Sequence, residues 1–544
     1  MVFLKNKVKK KLILGIDFGT TYSLLATIKK ERFVFLTDDK KRYLLPSIVN
    51  FNKDKILIGW EAEKKILEDP INTIISVKRL IGRPLNFIKK EFPILPYIIE
   101  ENKDGAILFH TNSGVFTPID VVSKILRFLK DRSFKLFNQK IDATVITVPA
   151  YFNNIQRESI KKAAVLSGIN LIRLLNEPTS AAVAYGLQLN KKGIVVIYDL
   201  GGGTFDVSIL NLNKGIFEVL ATGGDANLGG DDFDIILANY IYKKSHLSNK
   251  CNTKEIKIKL TQYKKVEVNF FDWNGIIYRD EFNSIIKNLV KKTLLICSNM
   301  LQEIDLKVES IKEIIMVGGS TRVPLVYEEV KKFFQKEPLI SINPDQVVAI
   351  GAAMQSNMLT QDNFQKTRTI LLDVTPLSLG IEVMGGFVEK IIFRNTSIPI
   401  SKTKEFTTAK DNQTSILIHV LQGERELVKD CISLSRFVLK DIPPKKAGMV
   451  RISVTFEIDA DGLISVKAFE KFSNKQKNIQ IENVNFLKSK KVNAIIEESM
   501  SHAKEDYYFR VKKEKKIESE YILSILNNAL EEDKDLISEE ELKK

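Results

Sequence analysis

The sequence predicts a two-lobed α/β domain, followed by an all-β module and a short helical segment. Three observations predict this order. A strand–turn–strand pattern occurs twice in the first half of the chain, period-two alternation of apolar residues follows residue 380, and charged helical spacing follows residue 486. The 544 residues are 44% hydrophobic, which is enough for several domains that each bury a core of their own.

The repeated pattern spans residues 12–28, LILGIDFGTTYSLLATI, and residues 194–210, IVVIYDLGGGTFDVSIL. Each copy has a β-rich apolar run, an Asp, a turn of Gly and Thr, and a second alternating run, so we predict a hairpin in each of two duplicated lobes. Small turn residues let backbone N–H groups approach a phosphate. A bare carboxylate repels phosphate, and we therefore expect Asp17 and Asp199 to hold a hydrated Mg²⁺ against it. One copy alone would more often be an ordinary hairpin, whereas two matching copies favour a nucleotide site.

A third Gly-rich turn follows an apolar run in IIMVGGSTRVPLV, residues 314–326. Such a turn suits the sugar, base or phosphate of a nucleotide. The chain has no GxxxxGK[ST] and no GxGxxG after a predicted strand, which argues against P-loop and dinucleotide-binding folds. Helical stretches such as residues 155–168 lie between the turns, and the α/β region extends to about residue 366.

The character of the sequence changes after the α/β region. Residues 370–379, ILLDVTPLSL, are apolar with the single acid Asp373, and we expect them to dock because exposed linkers are normally polar. About a hundred residues of alternation follow and include the hairpin signal Asp461-Gly462. The last part, from about residue 486, is helical and rich in charge.

Composition excludes several classes of protein. The net charge is +15, but only 16 of the 82 basic residues are arginine, which favours a lysine-rich solvated surface over nucleic-acid binding. No apolar run approaches the roughly 18 residues of a membrane span, and the N-terminus lacks a secretory cleavage pattern, so we expect a cytoplasmic protein. Cys251, Cys297 and Cys431 show no CxxC spacing, which argues against a disulfide framework or a zinc site.

Eight motifs occur in order along the chain: DFGTTYS, NTIISVKRLIGR, TVPAYFNNIQR, LLNEPTSAAVAYG, YDLGGGTFDVS, GGDDFD, VGGSTRVP and DVTPLSLGIE. Together they resemble the seventy-kilodalton heat-shock chaperones of the DnaK type over nearly the whole chain. Within that family, residues 384–431 and the short segment 232–317 are most similar to the HscA-type branch, which is specialised in bacterial iron–sulfur cluster assembly.

The resemblance implies an actin-like, ribonuclease-H-like ATPase domain of two lobes, a β-sandwich that binds peptide, and a helical lid. Mapped onto this chain, the ATPase domain covers residues 1–366 and the interdomain linker residues 367–379. The substrate-binding sandwich covers residues 380–485. The remaining residues, 486–544, form a truncated lid with room for about two helices.

For the ATPase domain, the resemblance implies ATP and ADP as nucleotides and Mg²⁺ as the metal, held through water by Asp17 and Asp199. Lys78, Glu177, Asp206 and Thr204 are implied to act in hydrolysis. A Lys there supplies positive charge where the transition state spreads negative charge, while the carboxylates orient water and metal. The residues implied to bind the nucleotide are Gly19, Thr20, Thr21, Tyr22, Gly201, Gly202, Gly203, Thr204, Lys257, Thr261, Gly318, Gly319, Ser320, Arg322 and Asp345.

One position departs from the family pattern. The family often has an acidic residue one helical turn before the Lys that matches Lys257, and this chain has Lys254. We therefore expect the adenine side of the site to be less secure, with nucleotide exchange that is faster or differently controlled.

For the sandwich, the positions that match the peptide cleft are Ile381, Val383, Met384, Phe406, Ala409, Ile416 and Ile418. Phe406 and Ile418 are equally compatible with the sandwich core, whereas Met384 and Ala409 are better matches to the arch and pocket because a flexible Met adapts to varied clients. Coupling is implied for a linker that docks with ATP and releases with ADP. The residues implied in coupling are Pro149, Arg157, Arg173, Leu371, Leu372 and Asp373, of which Arg173 and Asp373 match positions that receive a J-domain cochaperone.

The resemblance also implies the partners: a J-domain cochaperone of the HscB type and, as client, an iron–sulfur scaffold protein of the IscU type. Nucleic acid and membranes are not expected as partners, and the chain is expected to be a monomer. Two alternatives stay open. The first is a general DnaK-type folding chaperone, and the second is a sugar kinase or actin-like ATPase, because fold alone does not determine function.

Overall fold

The computed structural model describes residues 11–532 except residues 31, 93–94, 104, 190–191, 214–215, 246–252, 271–272, 361–369 and 482–491. Cys251, the first part of the predicted linker, the start of the predicted lid and residues 533–544 lie outside the described residues.

The described residues of the first lobe form twelve strands and five helices. The strands are β1 (Ile13–Phe18), β2 (Tyr22–Lys29), β3 (Arg32–Phe35), β4 (Leu45–Pro46), β5 (Val49–Phe51), β6 (Ile56–Ile58), β7 (Thr73–Ile74), β8 (Ile98–Glu101), β9 (Ile107–Thr111), β10 (Gly114–Phe116), β11 (Ala143–Val148) and β12 (Leu171–Asn176). The helices are α1 (Trp60–Glu63), α2 (Leu85–Glu91), α3 (Pro118–Phe137), α4 (Asn154–Ser167) and α5 (Glu177–Leu189), and a 3₁₀ turn covers Val77–Arg79.

The second lobe continues the chain. Its strands are β13 (Gly193–Leu200), β14 (Phe205–Asn213), β15 (Ile216–Asp225), β16 (Lys265–Phe270), β17 (Trp273–Tyr278), β18 (Ile311–Val317) and β19 (Ile370–Val374). Its helices are α6 (Gly230–Ser245), α7 (Thr253–Gln262), α8 (Arg279–Glu303), α9 (Pro324–Phe334) and α10 (Val347–Thr360), with 3₁₀ turns at Val308–Ser310 and Gly319–Arg322.

The remaining elements form a sandwich and one long helix. The strands are β20 (Leu379–Val383), β21 (Phe387–Ile392), β22 (Ser397–Ile398), β23 (Ile400–Phe406), β24 (Ile416–Gln422), β25 (Ile432–Leu439), β26 (Ile452–Ile458), β27 (Ile464–Glu470) and β28 (Gln476–Gln480). A 3₁₀ turn covers Val428–Asp430, and the helix is α11 (Val492–Glu532).

The central sheets of the two lobes have the same plan. In the first, with the order β12-β11-β1-β2-β3, β11 is parallel to β1, and β1, β2 and β3 are antiparallel. In the second, with the order β18-β13-β14-β15-β19-β22, β18 is parallel to β13, and β13, β14 and β15 are antiparallel. The predicted pair of hairpins, β1–β2 and β13–β14, is confirmed, because the local apolar alternation and small turn residues favour the same structure twice.

The lobes meet through α5 and α10. Val347 of α10 packs in the core of the second lobe, while Ala349 and Ala353 pack against β2 of the first. Gly351 lets α10 approach α5 closely, since a Cβ at this position would lie 1.8 Å from the carbonyl oxygen of Ser180. The two helices therefore determine how the turns of the two hairpins face each other.

The alternating region forms two four-stranded antiparallel sheets, with the orders β21-β20-β24-β25 and β23-β26-β27-β28. Every second residue points inward, so that Val454, Phe456, Val466 and Ala468 are buried in the core. The Asp461-Gly462 signal is confirmed as the turn between β26 and β27, where Gly462 has a φ of +79°.

The apolar stretch that follows the second lobe is a strand. β19 runs parallel to β15, with Ile370 opposite Ile216 and Leu372 opposite Glu218. Its other edge pairs with β22, which leads into the sandwich, through Asp373 and Val374. One short strand thus joins the second lobe and the sandwich through backbone hydrogen bonds.

The helical end differs from its prediction. We expected about two helices, but the described residues form one helix of 41 residues, α11. No Gly or Pro occurs between Val492 and Glu532, so nothing in this stretch breaks the helix. Within the described part of the chain, no helix is long and apolar enough to cross a membrane.

The contact between α10 and α5 predicts the effect of a single methyl group. Gly351→Ala should lower the free energy of unfolding by about 1–3 kcal/mol, because the new Cβ forces the two helices apart. Leu359→Ala, on the exposed side of the same helix, should change it by about 0.5 kcal/mol or less. Urea unfolding followed by circular dichroism measures both variants, and equal midpoints for Gly351→Ala and the wild type would contradict the prediction.

Candidate functional site

A cavity of about 390 Å³ lies between the two lobes, and the turns of both hairpins form its walls. The predicted catalytic, nucleotide and metal residues line it, with the exceptions of Gly203 and Asp206. Those that do are Asp17, Gly19, Thr20, Thr21, Tyr22, Lys78, Glu177, Asp199, Gly201, Gly202, Thr204, Lys257, Thr261, Gly318, Gly319, Ser320, Arg322 and Asp345.

The two hairpin turns touch each other at the floor of the cavity. A Cβ on Gly202 would lie 1.8 Å from Oγ1 of Thr21, and one on Gly203 would lie 2.4 Å from Cγ2 of Thr20. Glycine is therefore required for the contact between the lobes as well as for the approach of a phosphate. Oγ1 of Thr21 is buried and has no hydrogen-bond partner within the described chain, so the turn retains polar capacity for a ligand.

Among the largest fully buried side chains of the described residues, Lys78 is the only lysine. The 3₁₀ turn Val77–Arg79 carries it, and its Nζ donates hydrogen bonds to the carbonyl oxygen of Phe18 and to Oε1 of Glu177, each at 2.5 Å. Glu177 is the first residue of α5, so the ion pair joins the turn to the helix at the junction of the lobes. A buried lysine requires such a partner, because an unpaired charge in the interior is strongly destabilising.

The site contains an excess of buried negative charge. Burial, reinforced by the charge of Glu177, raises the pKa of Asp17 and that of Asp206 to about 7. The same two causes raise the pKa of Asp199 well above its usual value. Lys78 alone does not balance these four carboxylates.

The donor set fits a hydrated divalent cation. Oδ1 of Asp206 is buried and has no hydrogen-bond partner among the described residues. Among the described residues, no three His, Cys, Asp or Glu side chains converge into a metal site by themselves. Carboxylate oxygens are ligands that suit Mg²⁺, which commonly retains several of its waters. Asp17 and Asp199 are the residues that would hold it, and the ion would supply the positive charge that the site lacks.

The third Gly-rich turn closes the cavity from the second lobe. Oγ of Ser320 donates to the carbonyl oxygen of Gly201 at 2.8 Å, which ties this turn to the β13–β14 turn. The guanidinium of Arg322 donates to Oδ2 of Asp345 at 2.8 Å. On α7, Nζ of Lys257 donates to the carbonyl oxygen of Gly230 and to a carboxylate of α6.

Lys254 bridges the mouth of the cavity. Its Nζ lies 3.1 Å from Oε1 of Glu63 in the first lobe and 4.5 Å from the centre of the Tyr22 ring. The residue that we expected to loosen the adenine side therefore pairs with a carboxylate on the other lobe.

Sequence reasoning missed Trp60, which also lines the cavity and whose indole stacks under Arg42. Trp60 lies outside the eight motifs, and only the rarity of tryptophan in this chain could have indicated a functional role for it.

The residues predicted for coupling meet at the end of β12. Oδ1 of Asn176 accepts a hydrogen bond from Arg157 at 2.7 Å, and Nδ2 of Asn176 donates to Oδ2 of Asp373 at 2.7 Å. Arg157 also donates to the backbone of Asp461 in the sandwich, and Nε of Arg173 lies 3.6 Å from Oδ1 of Asp461.

The other predicted coupling positions lie close by. The carbonyl oxygen of Pro149 accepts a hydrogen bond from the amide of Phe152, and this turn leads into α4, which carries Arg157. Leu371 and Leu372 are half-buried in β19. Asn176, to which sequence reasoning gave no role, joins Arg157 to Asp373, and it lies within the LLNEPTSAAVAYG motif.

The residues predicted for peptide binding are divided between core and surface. Ile381 and Ile418 are buried in the sandwich core, and Val383, Phe406 and Ile416 pack partly buried against it. Met384 is 60% exposed and Ala409 is also exposed. Met384 and Val383 line a cavity of about 340 Å³ beneath α11.

Comparison with known proteins agrees with the fold and the cavity. The model of the Hsp70 family, described as Hsp70 protein, matches residues 13–544. The chain therefore belongs to the Hsp70 family, whose members are ATP-hydrolysing chaperones.

Similar relatives carry the name Chaperone protein HscA. The protein of Buchnera aphidicola subsp. Schizaphis graminum is 78% identical over all of this chain and 91% of that protein. The protein of Buchnera aphidicola subsp. Acyrthosiphon pisum (strain APS) is 66% identical over the same shares. The protein of Xenorhabdus nematophila is 48% identical over 98% of this chain and 88% of that protein.

The bridge between Lys254 and Glu63 predicts a control on nucleotide release. Lys254→Glu places two carboxylates opposite each other at the mouth, so ADP should dissociate about tenfold faster, which corresponds to about 1.4 kcal/mol. The exchanged pair Glu63→Lys/Lys254→Glu should restore most of the wild-type rate. Stopped-flow release of a fluorescent ADP measures both variants, with Lys259→Glu on the exposed face of α7 as the control. An unchanged rate in Lys254→Glu would exclude this role of the bridge.

Proposed function

We propose that the chain is an ATP-dependent chaperone that couples ATP hydrolysis to the binding and release of a peptide segment. The observation that carries this proposal is the position of β19. Its first three residues, 370–372, pair with β15 of the nucleotide lobe, and its last two, Asp373 and Val374, pair with β22 of the sandwich. A change in the closure of the lobes would therefore be transmitted to the sandwich through β19.

The chemistry follows from the charges in the cavity. We assign Lys78 to the transferred phosphoryl group, whose negative charge grows in the transition state, and we assign Glu177 and Asp206 to the attacking water. Thr204 and the glycines of both hairpin turns cradle the phosphates. Mg²⁺, held through water by Asp17 and Asp199, neutralises phosphate charge when it is bound.

The coupling path begins at the catalytic residues. Glu177 follows Asn176 in the chain, and Asn176 contacts both Arg157 and Asp373. A displacement of Glu177 during hydrolysis therefore reaches β19 through one residue, and it reaches the sandwich through Arg157 and Asp461. We infer that ATP favours the docked β19 and that hydrolysis favours its release.

For partners, we propose a J-domain cochaperone that contacts Arg173 and Asp373, and an iron–sulfur scaffold protein as client. The support for this is the name Chaperone protein HscA, which relatives 47–78% identical carry. We further propose that the chain works as a monomer in the cytoplasm, without nucleic acid.

The sugar-kinase and actin-like alternatives are set aside because the chain belongs to the Hsp70 family.

The assignment of Lys78 predicts a separation of hydrolysis from binding. Lys78→Ala should reduce single-turnover ATP hydrolysis by at least about a hundredfold, since one preorganised charge in such a site contributes on that order. The nucleotide should still bind, because the turns and the third Gly-rich turn are intact. Lys53→Ala, at an exposed lysine of the first lobe, is the control. Unchanged turnover in Lys78→Ala would overturn the catalytic assignment.

The position of Asp373 predicts a separation of basal from stimulated hydrolysis. Asp373→Asn keeps the shape of the side chain and lies outside the cavity, so basal hydrolysis should change by less than about twofold. Stimulation by the J-domain partner should be lost, both with the scaffold protein and without it. Asp54→Asn, at an exposed site, should respond like the wild type. Retained stimulation in Asp373→Asn would refute the proposed contact.

A further inference from the structure

The turn that carries Lys78 begins in an unusual backbone conformation. Ser76 has a φ of 51° and a ψ of 33°, which is the left-handed region, and it immediately precedes the 3₁₀ turn Val77–Arg79. Residues other than Gly, Asn and Asp rarely adopt this conformation, because their Cβ crowds the following carbonyl group. Something outside the turn must therefore hold Ser76 in place.

The constraint comes from the other lobe. Oγ of Ser76 donates a hydrogen bond of 2.8 Å to Oδ2 of Asp231, in the first turn of α6. A hydrogen bond to a charged acceptor is roughly twice as strong as a neutral one. The bond crosses the cavity, because Ser76 belongs to the first lobe and Asp231 to the second.

Asp231 is itself attached to the phosphate turn. Its backbone amide donates to the carbonyl oxygen of Gly202 at 2.7 Å, and its side chain lines the cavity. On the far side of Lys78, Nε of Arg79 donates to the carbonyl oxygen of Gly203 at 2.9 Å. The turn with Lys78 is thus held from both ends by the opposite lobe, at Ser76 by Asp231 of α6 and at Arg79 by the β13–β14 turn.

We propose that Ser76 is a positioning residue for Lys78, which aligns the ammonium group with the phosphates only while the lobes are closed. The inference rests on the ATPase function proposed above and adds a residue to it. When the lobes separate, the bond to Asp231 is lost and Ser76 is free to leave the left-handed region. Lys78 and Glu177 are both first-lobe residues, so their ion pair does not depend on closure of the lobes. The bond between Ser76 and Asp231 joins the two lobes and forms only when they are closed.

Four variants of the full chain test this role: Ser76→Ala, Ser76→Asn, Asp231→Ala and Ser76→Ala/Asp231→Ala. Ser76→Ala removes the hydroxyl group, and its single-turnover rate of ATP hydrolysis should fall about tenfold, while the dissociation constant of ATP changes by less than twofold. Ser76→Asn tolerates the left-handed conformation and offers an amide donor to Asp231, so it should recover most of the rate. In Ser76→Ala/Asp231→Ala, the losses should not add, because both substitutions remove the same bond.

The control is Ser284→Ala on α8, whose hydroxyl group donates to the carbonyl oxygen of Glu281 in the same helix and which does not line the cavity. It should hydrolyse ATP at the wild-type rate. Thermal unfolding of every variant separates a positioning role from a structural one, because a structural role would lower the melting temperature and ATP affinity together with the rate.

The outcomes are distinct. Hydrolysis by Ser76→Ala within twofold of the wild type, or no recovery in a folded Ser76→Asn, overturns the positioning role alone. If Ser76→Ala does not fold, full activity in a folded Asp231→Ala overturns it equally. If the wild-type chain binds ATP without hydrolysing it, the proposed function fails, and this inference fails with it.

Discussion

The central constraint of this structure is the burial of more negative than positive charge where the two lobes meet. Asp17, Asp199, Asp206 and Glu177 surround the ammonium group of Lys78, and burial raises the pKa of the three aspartates. Burying an uncompensated charge is costly, so closure of the lobes is most favourable when a ligand brings cations with it. The buried negative charge opposes closure of the lobes when no ligand is bound. A metal–nucleotide complex brings positive charge and so removes this opposition.

Hydrogen bonds of a few polar side chains connect the cavity with β19 and with the sandwich. Asn176 ends β12 immediately before Glu177 and contacts Arg157 and Asp373. Asn154 at the start of α4 accepts a hydrogen bond from the amide of Ile464 in the sandwich. Because these linking groups are hydrogen-bonded, they give the proposed coupling a short path from the cavity to β19 and to the sandwich.

Sequence reasoning succeeded where structure follows from local residues. The two hairpins, the alternating sandwich strands and the Asp461-Gly462 turn depend on residues adjacent in the chain. The bridge between Lys254 and Glu63 and the bond between Ser76 and Asp231 join positions far apart, and no local pattern signals them. The single helix α11 was predictable from the absence of Gly and Pro, and our expectation of two helices neglected that signal. For Ile381 and Ile418, alternation identifies an inward face but does not distinguish a cleft from a core.

The attachment of α11 shows that the sandwich is held in two physically different ways. Arg425 and Asp506 form a buried pair in which two hydrogen bonds of 2.6 and 3.0 Å join α11 to the sandwich. Arg510 adds pairs with Glu426 and Glu389. Breaking a buried pair leaves an uncompensated charge, so opening of α11 is opposed electrostatically. β19 is instead held by backbone hydrogen bonds, by apolar contacts and by the neutral donor Asn176 on Asp373. α11 also approaches β15, the strand with which β19 pairs, so the two attachments share one strand of the second lobe.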